Sequence, residues 1–129
     1  MKIVLDTNVL LSALLTPNRK AGAILDKILN GNIEIYYNEN IISEYKEVLS
    51  RKKFCIPKTQ ISAIISFIRM QGIYVFDYTK SNKQFKDISD KVFYDIAISK
   101  DSILVTGNLI HYPKHKKVMG MSEFYNKYI

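Results

Sequence analysis

Cysteine, proline, glycine and histidine are scarce in this chain, and long apolar runs are missing. The lone cysteine, Cys55, excludes an internal disulfide and a cysteine-based metal cluster. No apolar stretch is long enough to cross a bilayer, and we expect no signal peptide before the first strand. No repeat, low-complexity tract or interdomain linker interrupts the sequence. These absences predict a cytoplasmic protein without a membrane partner.

Acidic residues are also in the minority, with 12 Asp and Glu against 19 Lys and Arg. The resulting net charge of +7 favours an anionic partner but does not identify one. A hydrophobic content of 47% and a length of 129 residues are typical of one globular domain with a sizeable core. We therefore expect a single domain over residues 1–129.

Apolar runs and helical patterns alternate along the chain. The runs predict strands at 2–5, 33–37, 74–78 and 103–106, and a weaker one at 117–119. The helical patterns cover 20–29, 41–51, 59–71, 88–99 and 122–127. This alternation predicts an α/β fold with a mostly parallel, twisted sheet of four to five strands and helices on both faces.

Polar residues stand where two of these strands end. Asp6 directly follows the first run, and Asn108 follows "ILVTG" at the end of the fourth. Ligands of such folds bind beyond the carboxyl ends of the strands. A helix cap or a turn explains Asp6 equally well at this stage, and a turn after Gly107 explains Asn108.

Two further acids lie on apolar helix faces. Glu44 shares a helix side with Ile41 and Val48 and has no cation four residues away, although a surface glutamate would show the same pattern. Asp90 heads the stripe of Phe93 near a helix start.

The acids around Asp90 have simpler explanations. Asp87 has the spacing of an N-cap residue. Asp95 lies about 140° around the helix from Asp90, so we expect it to be exposed or at most to border a cleft. Several such carboxylates at one sheet end would need a cation between them, and oxygen ligands favour Mg²⁺ or Mn²⁺.

Four segments carry a family resemblance: "VLDTNVLLSALL", "ISEYKEVLSRKKF", "DISDKVFYDIA" and "LVTGNLIHYP". Together and in this order they resemble a PIN domain, most closely the branch of toxins from toxin–antitoxin systems. The resemblance implies a PIN-like fold and a Mg²⁺- or Mn²⁺-dependent ribonuclease site. The implied catalytic residues are Asp6, Glu44, Asp90 and Asn108, and the implied metal ligands are the first three.

Asn108 departs from the family pattern, which commonly has Asp at this position. An amide oxygen can still bind a metal or orient water, but it adds no negative charge. A second cation should therefore bind less well. Candidate auxiliary groups around the acids are Thr7, Asn8, Asp87, Asp95 and Thr106.

The segment "IHYPKHKKVMG" concentrates basic and aromatic residues. It predicts either a solvated loop or a nucleic-acid rim made of His111, Tyr112, Lys114, Lys116 and Lys117, with Tyr112 stacking on a base. We expect His115 to lie on the surface. For the isoleucines of 59–71, core packing is the expected role.

The leading functional hypothesis is an endoribonuclease acting on RNA and held inactive by a cognate antitoxin. Related toxins also dimerise, and the leucines of "VLLSALL" are candidates for such contacts, although a buried helix start would look the same. One alternative is a nucleic-acid-binding module with weak or no catalysis, which Asn108 favours. Another, an aspartyl-nucleophile phosphotransferase, is disfavoured because no acid follows Asp6 by two residues.

Overall fold

A computed structural model describes all residues, 1–129. Five strands form one sheet in the order β3-β2-β1-β4-β5, and all pair in parallel. Their bounds are Lys2–Leu5, Glu34–Tyr37, Ile73–Tyr74, Ile103–Thr106 and Val118–Gly120 for β1 to β5. Six helices flank the sheet: Thr7–Leu15, Lys20–Leu29, Glu39–Leu49, Lys58–Gln71, Ile88–Ser99 and Met121–Tyr128 for α1 to α6. The predicted α/β fold with a parallel sheet is confirmed.

Burial of the strands explains why they read as continuous apolar runs. Ile3, Val4 and Leu5 of β1 are at most 1% exposed, and all four residues of β4 are buried. β1 lies at the centre of the sheet, paired with β2 on one side and β4 on the other. Helix α4 turns its isoleucines (Ile61, Ile64, Ile65 and Ile68) into the same core, so core packing is confirmed for them.

The path of the chain through the sheet fixes where a site can form. It runs from β1 outward to β2 and β3, then returns past β1 to β4. The direction of winding therefore reverses between β1 and β4. In open parallel sheets the crevice at such a reversal, beyond the carboxyl ends of the strands, is where ligands bind. Asp6 directly follows β1, and Asn108 follows β4 after the intervening Gly107.

Two elements differ from the sequence prediction by more than two residues at an end. Helix α1 was not among the predicted helices, because "TNVLLSALL" is apolar on most sides and shows little helical periodicity. Strand β3 is two residues long instead of spanning 74–78. Val75 still donates a backbone hydrogen bond to Tyr37, but Phe76 is 84% exposed and the chain leaves the sheet there. No helix combines the length and the apolar character that crossing a membrane requires.

Candidate active site

Asp6 is the most buried acid of the crevice, at 5% exposure. It caps helix α1, since its Oδ1 accepts a hydrogen bond from the Thr7 backbone amide at 2.8 Å. Its Oδ2 accepts a hydrogen bond of 2.6 Å from the hydroxyl of Thr106. Burial raises the pKa of Asp6, because the charged form loses water, and these hydrogen bonds offset part of the effect. Asp6 is thus both a cap and a fixed carboxylate at the end of β1.

A short hydrogen-bond network fixes the end of β4 next to Asp6. The Thr106 hydroxyl, fully buried, also accepts a bond of 3.0 Å from the Asn108 backbone amide. From helix α1, the side-chain oxygen of Asn8 accepts a bond of 3.1 Å from the Gly107 amide. Thr106 and Asn8 therefore hold the loop that carries Asn108 against the start of α1.

Glu44 reaches the crevice from helix α3. The neighbouring Tyr45 is fully buried, and its hydroxyl donates a hydrogen bond of 2.6 Å to the carbonyl of Leu5. This bond ties α3 to the end of β1, directly before Asp6. Partial burial, followed by the nearby carboxylates of Glu47, Asp87 and Asp6, raises the pKa of Glu44. Its carboxylate therefore holds a proton more readily than that of an ordinary exposed glutamate.

Asp87 and Asp90 reach the crevice from the start of α5 and differ in their bonding. The predicted cap is present, since Asp87 accepts hydrogen bonds from the amide and hydroxyl of Ser89, which lower its pKa. Asp90 accepts no hydrogen bond, and its nearest basic side chain is that of His111, whose Nδ1 lies 3.8 Å from Oδ2 of Asp90. Burial, then repulsion by Asp6 and Asp87, raises the pKa of Asp90 to about 6.

One cleft of about 260 Å³ brings these groups together. Of the predicted residues, Asp6, Thr7, Asn8, Glu44, Asp87, Asp90, Asn108 and His111 line it. A second cavity, lined by Lys83 and Lys86, adjoins it and shares Asp87, Asp90 and His111. We call the two neighbouring cavities together the trough, and Asp87, Asp90 and His111 lie where they meet.

The donor groups of the cleft suit a hard divalent cation, although the carboxylates are spread out. No three Asp, Glu, His or Cys side chains stand close enough, as positioned, to share one ion. The buried hydroxyl of Thr7, which lines the cleft next to Asp6, has no hydrogen-bond partner in the protein. Buried hydroxyls normally have one, and water around a bound cation would supply it. Asp6, Glu44 and Asp90 are the residues that could hold such an ion.

Two predicted site residues are more buried than expected. The expectation that Asp95 is exposed is wrong: it is 2% exposed and forms an ion pair of 2.6 Å with Lys91, away from the cleft. Tyr112 cannot stack on a base as predicted, because it is 6% exposed. Burial, and the Asp6 carboxylate beside it, raise the pKa of its phenol.

None of the three lysines of the predicted nucleic-acid rim lies at the cleft. Lys117 precedes β5 and lies 3.5 Å from Asp101, which precedes β4. Because the two strands are parallel, Lys116 and Lys117 lie at the amino end of the sheet, opposite to the acids. Lys114 lines a separate groove with His115. Of the predicted rim, His111 alone reaches the cleft.

Among the residues outside the predicted set that line the trough, four are basic or aromatic. Arg51 and Phe54 line the cleft, and Lys83 and Lys86 line the adjoining cavity. The basic run "SRKKF", which follows the helix of Glu44, was a signal for the first pair. No periodic pattern covers 78–87, so nothing in the sequence indicated where Lys83 and Lys86 would lie.

Comparison with known proteins assigns the chain, including the acids of the cleft, to a family. A family model described as PIN domain matches residues 2–109, which include all four implied catalytic positions. The chain is also similar to the uncharacterized protein MJ1680 of Methanocaldococcus jannaschii, with 32% identity over 111 residues, which are 84% of this chain and 71% of that protein. PIN domains are generally nucleases, and most use divalent metals. The chain belongs to the PIN domain family.

Proposed function

We propose that this protein is a Mg²⁺- or Mn²⁺-dependent endoribonuclease that hydrolyses phosphodiester bonds in RNA. One observation carries the proposal. Asp6, Glu44 and Asp90, from three separate elements, line one cleft where the winding of the sheet reverses. Their mutual repulsion contributes to the raised pKa values of Glu44 and Asp90. A divalent cation would relieve that repulsion.

In this proposal Asp6 and Asp90 would hold the cation, and Glu44 would be either a further ligand or the proton acceptor. Such a cation stabilises charge on a phosphoryl group and makes a water molecule easier to deprotonate. Glu44 takes the proton from the attacking water, and Asn108 orients that water through its amide. Water attacks phosphorus in line with the 3′ oxygen, which leaves. No residue of the protein becomes covalently attached to the RNA.

The other polar residues position these groups. Thr106 holds one oxygen of Asp6 and the Thr7 amide holds the other, so the carboxylate cannot rotate freely. Asn8 fixes the Gly107 amide and with it the loop of Asn108. Lys83 and Lys86 attract the phosphate backbone along the trough, an effect independent of nucleotide sequence.

Replacing Asp6 by Asn tests the proposal. Asn is as good a helix cap as Asp and keeps the bond from the Thr7 amide, but it loses the bond from Thr106, so circular dichroism must show that the variant is folded. Cleavage of a fluorescent RNA in Mg²⁺ should fall by more than about a hundredfold, since a direct ligand matters at least as much as its supporting groups. Asp26→Asn, which changes an exposed acid of α2, is the matched control. Equal cleavage by the Asp6→Asn and parental proteins would refute the assignment.

A second candidate is a nucleic-acid-binding PIN domain with weak or no catalysis. Asn108, in place of the family's usual Asp, and the spacing of the carboxylates favour it. Calorimetric titration with Mn²⁺ separates the two candidates. The nuclease should bind Mn²⁺ and cleave RNA, whereas the binding module should bind RNA without either property.

We also propose that the protein is the toxin of a toxin–antitoxin pair, acting in the cytoplasm as a single domain and as a possible homodimer partnered by a cognate antitoxin. The support is the likeness of its four motifs to that branch of the family. Induced expression in a bacterial host should arrest growth, and Asp6→Asn should abolish the arrest. Normal growth with intact, soluble parental protein would contradict the toxin role.

A further inference from the structure

Phe54 is a half-buried aromatic residue that the apolar core does not use. It lies in the short 3-10 turn Lys52–Phe54, which follows helix α3. It belongs neither to the core cluster nor to the partly buried apolar residues packed against that cluster. Its ring lines the cleft together with Asp6, Glu44 and Asp90. An apolar ring on the wall of an acidic cleft needs a reason other than core packing.

The turn holds this ring in a defined place. The Phe54 amide donates a hydrogen bond of 3.0 Å to the Arg51 carbonyl, and the Cys55 amide donates one of 3.1 Å to Lys52. Cys55 then adopts a left-handed conformation with φ of 54°, which ends the turn. The ring is therefore presented by closed backbone geometry and not by a loose loop.

Cations accompany the ring. Arg51 is already paired with Glu47 at 2.8 Å, whereas Lys52 and Lys53 form no ion pair with an acid. The ammonium of Lys53 lies over one face of the Phe54 ring, 5.2 Å from its centroid, which leaves the other face for a base. An aromatic face beside free lysines is the combination that binds single-stranded nucleic acid, since the ring stacks on a base and the lysines contact phosphates.

We propose that Phe54 stacks on an unpaired RNA base adjacent to the scissile phosphate, with Lys52 and Lys53 contacting the neighbouring backbone. This inference rests on the proposed function and specifies its substrate class. Bases inside an A-form duplex are stacked on each other and cannot reach a protein ring. The substrate is therefore an unpaired RNA segment, either a loop or a single strand.

Other exposed aromatic residues do not fit this role. Phe76 is 84% exposed, but it packs against Tyr74 with ring centroids 4.6 Å apart, beyond β3 and outside the cleft. Phe54 is the only phenylalanine, tyrosine or tryptophan that lines the acidic cleft. Phe76 is consequently a matched control for the loss of an exposed ring.

The test measures binding of a short, fluorescently labelled single-stranded RNA to the Asp6→Asn protein, which avoids cleavage. Adding Phe54→Ala should weaken binding by about tenfold, the loss typical of one stacked base. Phe54→Tyr should bind like the Asp6→Asn protein, and Phe76→Ala should have no effect. Phe54→Leu, which retains apolar volume without an aromatic face, should lose affinity like Phe54→Ala and serves if the alanine variant unfolds.

A scan with abasic nucleotides adds a readout specific to stacking. Removing one particular base should weaken binding to the Asp6→Asn protein and should have no further effect once Phe54 is replaced by Leu or Ala. Unchanged affinity of both variants, an abasic effect that persists in them, or no RNA binding at all would overturn the inference. Cleavage by the parental protein is assayed separately. Phe54-dependent binding without cleavage would therefore contradict the proposed function and leave the stacking intact.

Discussion

At the residue scale, helix capping and a place in the cleft are compatible roles for the same carboxylate. Asp6 caps α1 with one oxygen and is held by Thr106 through the other, at the point where β1 ends. Asp87 caps α5, and its bonds to Ser89 lower its pKa. Asp90 has no such bonds, and its pKa is raised to about 6. Of these three acids, only Asp90 accepts no hydrogen bond that would stabilise its charged form.

The raised pKa of Asp90 predicts how stability depends on pH in the metal-free protein. Because the folded state binds the Asp90 proton more tightly than the unfolded chain, stability falls as pH rises from about 4 to about 6. Asp90→Asn removes this penalty. Above pH 6 it should raise the free energy of unfolding by about 1 kcal/mol, a value reduced for screening by water. The gain should disappear below about pH 4.

Urea unfolding in EDTA at several pH values checks this prediction. Asp87→Ala is the control of opposite sign, because losing a capping carboxylate should destabilise the protein by about 1 kcal/mol at neutral pH. Addition of Mn²⁺ should stabilise the parental protein more than Asp90→Asn. If Asp90→Asn is no more stable than the parent at pH 7, the Asp90 carboxylate is not under repulsion.

At the element scale, the sequence predicts the elements whose apolar pattern is unambiguous. Strands β1 and β4 and helices α2 and α5 have the predicted bounds, because polar, turn or capping residues end their apolar segments in the sequence. Helix α1 has apolar residues on most sides, so periodicity could not identify it. The end of β3 depends on pairing with Tyr37 and its neighbours, which no local pattern encodes.

The site was predictable to a similar extent. Asp6 directly follows a strand, and Glu44 lies on a helix with a regular apolar pattern. The position of each at the site could therefore be predicted from its strand or helix. That of Asp95 could not, because a pair with Lys91 four residues earlier is also typical of an exposed helix face, whereas α5 is buried on most sides at Phe93–Ala97. The lysines of the nucleic-acid rim were misplaced because a loop has no periodic apolar pattern from which its direction can be predicted. The parallel pairing of β5 with β4 places Lys117 at the amino end of the sheet.

Charge reversal in two loops tests which of them borders the RNA. The double variant Lys83→Glu, Lys86→Glu should weaken RNA binding by more than about tenfold and lower the salt slope of log K by about 1.4, as expected for two lost phosphate contacts on a single strand. The double variant Lys116→Glu, Lys117→Glu changes the net charge equally at the opposite sheet end. It should have a much smaller effect in the same fluorescence anisotropy titration across salt concentrations. An equal loss in both variants would show that only net charge matters.

At the scale of the whole molecule, the distribution of charge distinguishes the cleft from the rest of the surface. The chain carries a net charge of +7 and only 12 acids, yet four of them line one cleft: Asp6, Glu44, Asp87 and Asp90. The basic surplus attracts a phosphate backbone, and the acidic cleft would repel it. A divalent cation in the cleft reconciles the two, because it neutralises the acids and contacts the phosphate.

Crystals soaked in Mn²⁺ and measured for anomalous scattering test this central claim most directly. We expect one strong peak in the cleft, bounded by carboxylate oxygens of Asp6 and Asp90, with Glu44 as a direct or water-mediated ligand. The Asp6→Asn crystals should lose the peak under the same soak. A cleft without anomalous density, or carboxylates that instead turn away to pair with neighbouring lysines, would contradict the metal-dependent nuclease.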